Sequence, residues 1–183
     1  MKKEVYLRTI LVIALGVTGK AMFSQSPVTP PDPYPSGMVL NYIRTWDATA
    51  PEANGNTLIT RPLKDVKQAT HYIDGLGLPL QTVAKQGSFE TGGTATDIVS
   101  PVVYDAFGRE QYKYLSFIAN NTGGNTSITD GLFKGNPFQQ QAVFMAQQYG
   151  NQGETFFYNK TNFETSPLSR PEKSMVAGNN WVG

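Results

Sequence analysis

The stretches YIDGLG, residues 72–77, and YDAFGR, residues 104–109, decide the fold of this chain. In each stretch an aspartate comes three positions before a glycine. An aspartate that begins a turn accepts hydrogen bonds from the backbone of its own turn, and glycine adopts a positive φ without a steric cost at Cβ. The flanking residues are rich in Tyr, Val and Thr, which favour strands. We therefore predict two strand–turn–strand hairpins, separated by a polar loop at residues 86–96.

One helix is predicted, over residues 136–149. Asn136 suits the N-cap, Pro137 suits the first turn and Gly150 suits the end of a helix. Four apolar residues with helical spacing give it a face that we expect to pack on the sheet: Phe138, Ala142, Met145 and Tyr149. The predicted fold is therefore mainly β, a curved antiparallel sheet of hairpins with one packed α-helix.

The beginning of the chain has the pattern of a secretory signal peptide. Three basic residues, Lys2, Lys3 and Arg8, precede a short apolar run at residues 10–17. This run is much shorter than the roughly 20 residues that span a bilayer. We predict that residues 1–25 are a signal peptide. The protein is then expected to be secreted or held at the cell surface, with no membrane span after cleavage.

The next segment, residues 26–37, contains five prolines. Proline removes a backbone donor and fixes φ, so this segment cannot form a helix or a central strand. We predict an extended, polyproline-type linker here, followed by a β-rich domain at residues 38–183.

Composition narrows the classes of function. Charged residues make up 16% of the chain and the net charge is +1, so no strong field is available to bind nucleic acid. The chain has no cysteine, which excludes disulfides, thiolate zinc sites and a cysteine nucleophile. It also lacks an Asp-x-Asp-x-Asp-Gly calcium loop and a glycine-rich phosphate loop with its lysine. The sequence therefore predicts no cofactor and no metal site.

Two catalytic arrangements can be considered, and each lacks a feature that it needs. His71 is the one histidine, and no Gly-x-Ser-x-Gly elbow provides a serine for a triad. Asp74 and Asp105 could form the carboxylate pair of a glycoside hydrolase. Each of them, however, begins a glycine-containing turn, where aspartate is expected for local hydrogen bonding. We predict that the protein is not an enzyme, and a hydrolase is the least favoured function.

The two turn stretches resemble the repeats of a known family. Residues 104–109 are similar to the Tyr-Asp-x-x-Gly-Arg unit of YD repeats in Rhs-family proteins, and residues 72–77 resemble a degenerate copy in which Leu78 takes the place of arginine. A weaker third copy lies at residues 163–170, which end in Ser-Arg instead of Gly-Arg. The residues assigned to the structural turn motifs are Tyr72, Asp74, Gly77, Tyr104, Asp105, Gly108 and Arg109.

A longer stretch, residues 41–183, is similar to the N-terminal domain of unknown function that begins many secreted Rhs-type proteins. The resemblance implies a non-catalytic structural module at the start of a YD-repeat shell, which encloses a C-terminal toxin or presents it at the cell surface. The implied partner is the downstream shell of the same or a neighbouring chain. The chain would then be the leading portion of a longer protein.

A carbohydrate-binding or adhesive surface module is the alternative function. Six aromatic side chains could stack on the sugar rings of cell-surface glycans if they are exposed: Trp46, Tyr112, Tyr114, Phe156, Phe157 and Tyr158. The alternation of Tyr112 and Tyr114 also suits the inner face of a sheet, and we favour that interpretation.

Overall fold

The computed structural model describes residues 26–88 and 94–181. The predicted signal peptide therefore lies outside the described residues, as does part of the polar loop between the two predicted turns. The described part of the chain contains eight strands and one α-helix. Their bounds are β1 Asn41–Ala48, β2 Val66–Ile73, β3 Pro79–Ala84, β4 Ile98–Pro101, β5 Tyr112–Tyr114, β6 Phe117–Ile118, α1 Pro137–Tyr149, β7 Tyr158–Phe163 and β8 Pro171–Met175. The predicted mainly β fold, with antiparallel pairing and one helix, is confirmed.

The strands form two antiparallel sheets, with the orders β1-β2-β3-β4-β6 and β5-β7-β8. Strands β2 and β3 pair as a hairpin around the first predicted turn. The hairpin predicted around the second turn is wrong, because β4 stays in the first sheet and β5 joins the second. Strand β5 leaves because Tyr112 and Tyr114 find aromatic partners there: both of their rings lie against Tyr158 of β7, at 5.3 and 5.5 Å between centroids.

Each sheet has its own apolar cluster, and α1 contributes to both. The cluster of the first sheet contains Tyr72, Val83, Val99, Phe117, Ala119 and Met145. The cluster of the second sheet contains Tyr114, Phe138, Phe156 and Tyr158. Phe138 and Met145 lie on the same helix, so α1 connects the two cores.

The bounds of α1 agree with the predicted helix, and Asn136 and Gly150 flank it, but neither residue ends the helix in the way predicted. Asn136 does not cap the helix with its side chain, because its amide is used elsewhere. Its Nδ2 donates to the carbonyl of Thr122 at 2.8 Å, and its Oδ1 accepts from Nε2 of Gln140 at 2.7 Å. Gly150 still has helical dihedral angles, so the left-handed glycine that terminates this segment is Gly153.

The buried face of α1 is more polar than predicted. Phe138 and Met145 are buried, whereas Tyr149, the last residue of the predicted face, is 43% exposed. Gln140 and Gln141 are buried, because their side-chain amides bond to backbone groups of neighbouring segments. The helix therefore attaches to the sheets through hydrogen bonds as well as apolar contacts.

The proline-rich segment, residues 26–37, contacts the domain that follows it. It has no helix or strand, as its prolines predict. The N–H of Tyr34 donates to the carbonyl of Gly135 at 2.7 Å, and Nε2 of Gln139 donates to the carbonyl of Pro31 at 2.7 Å. A segment without helix or strand cannot pair all of its own backbone groups. Here the N–H of Tyr34 and the carbonyl of Pro31 bond to Gly135, just before α1, and to Gln139, in its first turn.

Candidate functional site: a row of three turns

The first turn is closed by the carboxylate of Asp74. Its Oδ1 accepts hydrogen bonds from the N–H groups of Leu76 and Leu78, both at 2.8 Å. The N–H of Asp74 donates to the carbonyl of Leu78 at 2.9 Å. Gly77 has a φ of 87°, in the left-handed region that favours glycine. Asp74 and Gly77 therefore close this turn together.

The second turn repeats these bonds. Oδ1 of Asp105 accepts from the N–H groups of Phe107 and Arg109, at 2.8 and 3.0 Å, and Gly108 has a φ of 73°. Arg109 adds an ion pair, with its Nη2 at 2.7 Å from Oδ2 of Asp105. The side-chain hydrogen bond from Arg109 is the largest cause that holds the pKa of the Asp105 carboxyl below its usual value, followed by bonds from backbone N–H groups.

The weak third copy forms a turn of the same design, two residues longer. Glu164 occupies the position of the aspartate. Its carboxylate accepts hydrogen bonds from the backbone N–H, Nε and Nη2 of Arg170, at 3.2, 3.0 and 3.0 Å. Ser169 has a φ of 49°, so it occupies the position of the left-handed glycine. The side-chain bond from Arg170 lowers the pKa of Glu164, and the hydroxyl of Ser166 lowers it further.

All three turns lie at the same end of the molecule. The strand that leaves the first turn, β3, pairs antiparallel with β4, which leads into the second turn. The strand that leaves the second turn, β5, pairs antiparallel with β7, which leads into the third. Antiparallel pairing of each outgoing strand with the next incoming strand brings successive turns side by side. We call this arrangement the turn row.

The second and third turns are in direct contact. The guanidinium of Arg109 lies between two rings, at 4.9 Å from the centroid of Phe107 in its own turn and 4.9 Å from that of Phe163 in the next. Its Nη1 also donates to Oγ of Ser169 at 3.5 Å. A cation between two aromatic faces is a favourable arrangement, so Arg109 clamps the two turns together.

The two tyrosines of the predicted motifs have different surroundings. Tyr72 is buried in the core of the first sheet, where its hydroxyl donates to the carbonyl of Gly131 at 3.2 Å. Tyr104 is half-buried in the turn row, where burial raises the pKa of its phenol and the carboxylates of Glu110 and Asp74 add to the effect. The N–H of Val102 donates to the carbonyl of Leu80 at 2.8 Å, so the segment that leads to Tyr104 runs beside the strand that leaves the first turn.

An apolar side chain projects from the tip of each turn, which the sequence analysis did not predict. Leu76, Phe107 and Leu168 are 86%, 80% and 71% exposed. Each of them directly precedes the left-handed residue of its turn. Alignment of the three turn sequences shows the common feature, which is a large apolar residue directly before the left-handed glycine or serine. The turn row therefore presents a line of apolar tips.

The second and third turns enclose a cleft of about 560 Å³. It is lined by Phe107, Arg109, Phe163, Glu164, Thr165, Ser166, Pro167 and Ser169. The carboxylate of Glu164 and the guanidinium of Arg109 are both engaged in the bonds that close their turns. Asp74 and Asp105 are engaged in the same way, so neither is placed as a free acid or base. His71 lies on β2, three residues before Asp74, with its Nδ1 at 3.0 Å from Oγ1 of Thr82.

Most of the aromatic residues considered for glycan binding belong to the core. Tyr114, Phe156 and Tyr158 are 8%, 5% and 5% exposed. The ring of Tyr112 packs edge-on against Tyr158, and Trp46 lies apart from this cluster, on β1. The exposed aromatic platform considered in the sequence analysis is therefore wrong for these buried rings, because they fill the space between β5, β7 and α1.

A fully buried ion pair was missed by the sequence analysis. Nζ of Lys134 lies 2.7 Å from Oδ2 of Asp97, and neither side chain has exposed surface. The same Nζ lies 3.1 Å from Oδ1 of Asp130 and 3.0 Å from Oγ of Ser127. Burial alone would raise the pKa of Asp130, but hydrogen bonds from Ser127, a backbone N–H and Lys134 together lower it. Three acceptors satisfy the ammonium group, so the cluster anchors the loop before α1.

In residues 26–88 and 94–181, no three His, Cys, Asp or Glu side chains come together in a way that could hold a metal ion. Within the same ranges, no helix has the length and apolar character needed to cross a membrane.

A family model described as "Domain of unknown function (DUF6443)" matches residues 44–183, which is more than half of the chain. The chain belongs to this family. The DUF6443 match includes all three turns and α1, whereas the proline-rich segment precedes it. The match by itself does not connect the chain to the YD-repeat proteins that its turns resemble. No curated protein matches the chain, and no solved structure matches it.

Proposed function

We propose that this DUF6443 domain is a non-catalytic structural module that begins a secreted YD-repeat shell of the Rhs type, which encloses a toxin or presents it at the cell surface. The observation that carries the proposal is the turn row. Each outgoing strand pairs with the next incoming strand, and Arg109 joins one turn to the next. A stack in which each unit contacts its neighbours is the architecture of repeat proteins.

The use of the charged groups supports a structural role. The carboxylates of Asp74, Asp105 and Glu164 close turns, and Asp97 and Lys134 are paired in the interior. A side chain that acts as a catalytic acid, base or nucleophile must be able to reach a substrate. These five charged side chains therefore stabilise turns or pair with each other in the interior.

The gene itself provides the most direct test of the proposal. We expect the coding sequence beyond the codon for Gly183 to encode further Tyr-Asp-x-x-Gly-Arg units. The absence of such units from the next several hundred codons, in every reading frame, would overturn the proposed role at the start of a shell.

Export is a separate part of the proposal and rests on the pattern of residues 1–25. The test is N-terminal sequencing of the protein recovered from outside the cytoplasm. We expect a mature N-terminus after a cleavage between residues 21 and 25. Recovery of the chain only in the cytoplasm, with Met1 retained, would contradict export.

A further inference from the structure

The outgoing strand of the third turn, β8, is the outer strand of the second sheet. In the first two units, the corresponding strands β3 and β5 pair with the incoming strand of the next unit. Among the strands that the structure describes, β8 pairs only with β7, and its first four residues are exposed. An outer strand presents backbone groups to which another strand can add.

Arg170 is at the same position in the third turn as Arg109 in the second, but it is covered differently. The side chain of Arg109 is 23% exposed, because Phe163 of the next unit covers one face of its guanidinium. The side chain of Arg170 is 71% exposed, and no aromatic ring of the described residues lies over it. Its bonds to Glu164 already fix its orientation. Arg170 is therefore held in its own turn as Arg109 is, but it lacks the aromatic ring of a next unit that covers Arg109.

The residue that approaches the preceding turn is aromatic in both junctions of the row. Tyr104 follows the segment that pairs with the strand leaving the first turn, through the bond from the N–H of Val102 to the carbonyl of Leu80, and Phe163 lies over Arg109. Both are followed directly by the acidic residue that closes their own turn, Asp105 or Glu164. An aromatic residue followed directly by an acidic one is thus the chemical feature shared by the incoming segments of the second and third units.

We propose that the outer edge of β8, with Arg170 and the exposed Leu168, is a docking edge for the first strand–turn unit of the downstream YD-repeat shell. The incoming strand runs antiparallel to β8, and it ends in an aromatic residue directly followed by an acidic one. Its ring covers the guanidinium of Arg170 as Phe163 covers that of Arg109. The inference rests on the proposed function for the source of the unit, and on the turn row for its chemistry.

The path of the chain after β8 agrees with this direction. Strand β8 runs away from the turn row, so the residues that follow it lie at the opposite end of the sheet. There the N–H of Gly178 donates to the carbonyl of Phe156, just before β7, at 2.9 Å. A strand that begins at this end and runs antiparallel to β8 delivers its turn to the turn row.

The test is a fusion protein in which a copy of residues 158–175 follows Gly183 through a Gly/Ser linker. Hydrogen exchange of the β8 amides is measured with and without the appended unit. We expect exchange to slow by about tenfold or more at those amides of residues 172–174 that point away from β7, because pairing on the outer edge protects amides that β7 does not bond. The appended copy is also made with its equivalent of Phe163→Ala, and the domain with Arg170→Ala. Arg61→Ala, in an exposed ion pair with Glu52, is the matched control.

Each outcome supports or overturns the proposal. Protection that is lost in the Phe163→Ala copy and in Arg170→Ala, but kept in Arg61→Ala, supports it. No protection in the fusion protein overturns the docking edge, and equal protection in all variants overturns the aromatic–acidic requirement. Protected β8 amides in a dimer of the unfused protein would assign the edge to a second copy. Unchanged exchange of the β2 and β3 amides shows that the variants fold. These results do not depend on the downstream coding sequence, so failure of the proposed function is detected separately.

Discussion

The guanidinium of Arg109 lies 4.9 Å from the centre of the Phe163 ring, although Arg109 belongs to the second turn and Phe163 begins the third. The same guanidinium forms an ion pair with Asp105 of its own turn. One side chain therefore closes a turn and joins it to its neighbour. This double role explains how short turns of the same design can form a continuous row.

Two glycines of the first turn provide a test of its backbone geometry. Neither Gly75 nor Gly77 has another atom within 4 Å of an added Cβ, but only Gly77 has a positive φ. We expect Gly77→Ala to lower the free energy of unfolding by about 1–2 kcal/mol, because an L-residue is strained in the left-handed region. Gly75→Ala should change it by less than about 0.5 kcal/mol. Urea denaturation measures both, and equal effects would contradict the turn geometry.

The buried ion pair should dominate the stability of the loop before α1. Lys134→Met leaves the carboxylate of Asp97 buried without its cation, so we expect a loss of about 3–5 kcal/mol in the free energy of unfolding. Lys64→Met, at an exposed position, is the control and should cost less than about 0.5 kcal/mol. Adding Asp97→Asn to Lys134→Met should recover part of the loss. Equal costs for the Lys134 and Lys64 variants would show that the pair is not buried as described.

Acid should weaken the second and third turns. The pKa values of Asp105 and Glu164 lie below their ordinary values of 3.8 and 4.5 in the folded chain. The stability that they contribute is therefore present above these ordinary values and is lost as the pH falls through the lowered ones. Thermal melts from pH 6 downward should show a falling midpoint below about pH 4.5. The double variant Asp105→Asn, Glu164→Gln should show a smaller fall, and an unchanged slope would contradict the assignment.

Much of the turn row could be predicted from the sequence, because the chemistry of a turn is local. Asp74 with Gly77, and Asp105 with Gly108, lie within four residues of each other and need no distant partner. The third turn was harder to recognise, since Glu164 and Ser169 replace the usual aspartate and glycine and two residues are inserted.

Distant contacts could not be predicted in the same way. The sheet that β5 joins depends on packing of its tyrosines against Tyr158, which comes much later in the chain. Asp97 and Lys134 are far apart in sequence and no pattern around either one indicates a buried pair. The proline-rich segment likewise gives a local signal for an extended backbone, but none for the surface on which it packs.

The docked proline-rich segment gives a prediction about Tyr34. Its ring lies 5.2 Å from Phe133 and 6.4 Å from Phe138, and burial, with a smaller effect of Tyr104, raises the pKa of its phenol to about 12. Tyr34→Ala should lower the free energy of unfolding by about 2 kcal/mol, because it removes these contacts. Tyr34→Phe keeps the ring and should cost less than about 1 kcal/mol. A free linker predicts no change in either variant, which chemical denaturation would reveal.

The central claim is that the turns are coupled into a row, and a double-mutant cycle on Arg109 and Phe163 tests it most directly. The free energy of unfolding is measured for Arg109→Ala, Phe163→Ala, the double variant and the parent protein. The cycle removes the contribution of the Asp105 ion pair, because both arms of the cycle lose it equally. We predict a coupling energy of about 0.5–1.5 kcal/mol, and less than about 0.3 kcal/mol for a control cycle of Arg61→Ala with Phe163→Ala. Additive effects of Arg109→Ala and Phe163→Ala, within the same 0.3 kcal/mol or so, would contradict the account.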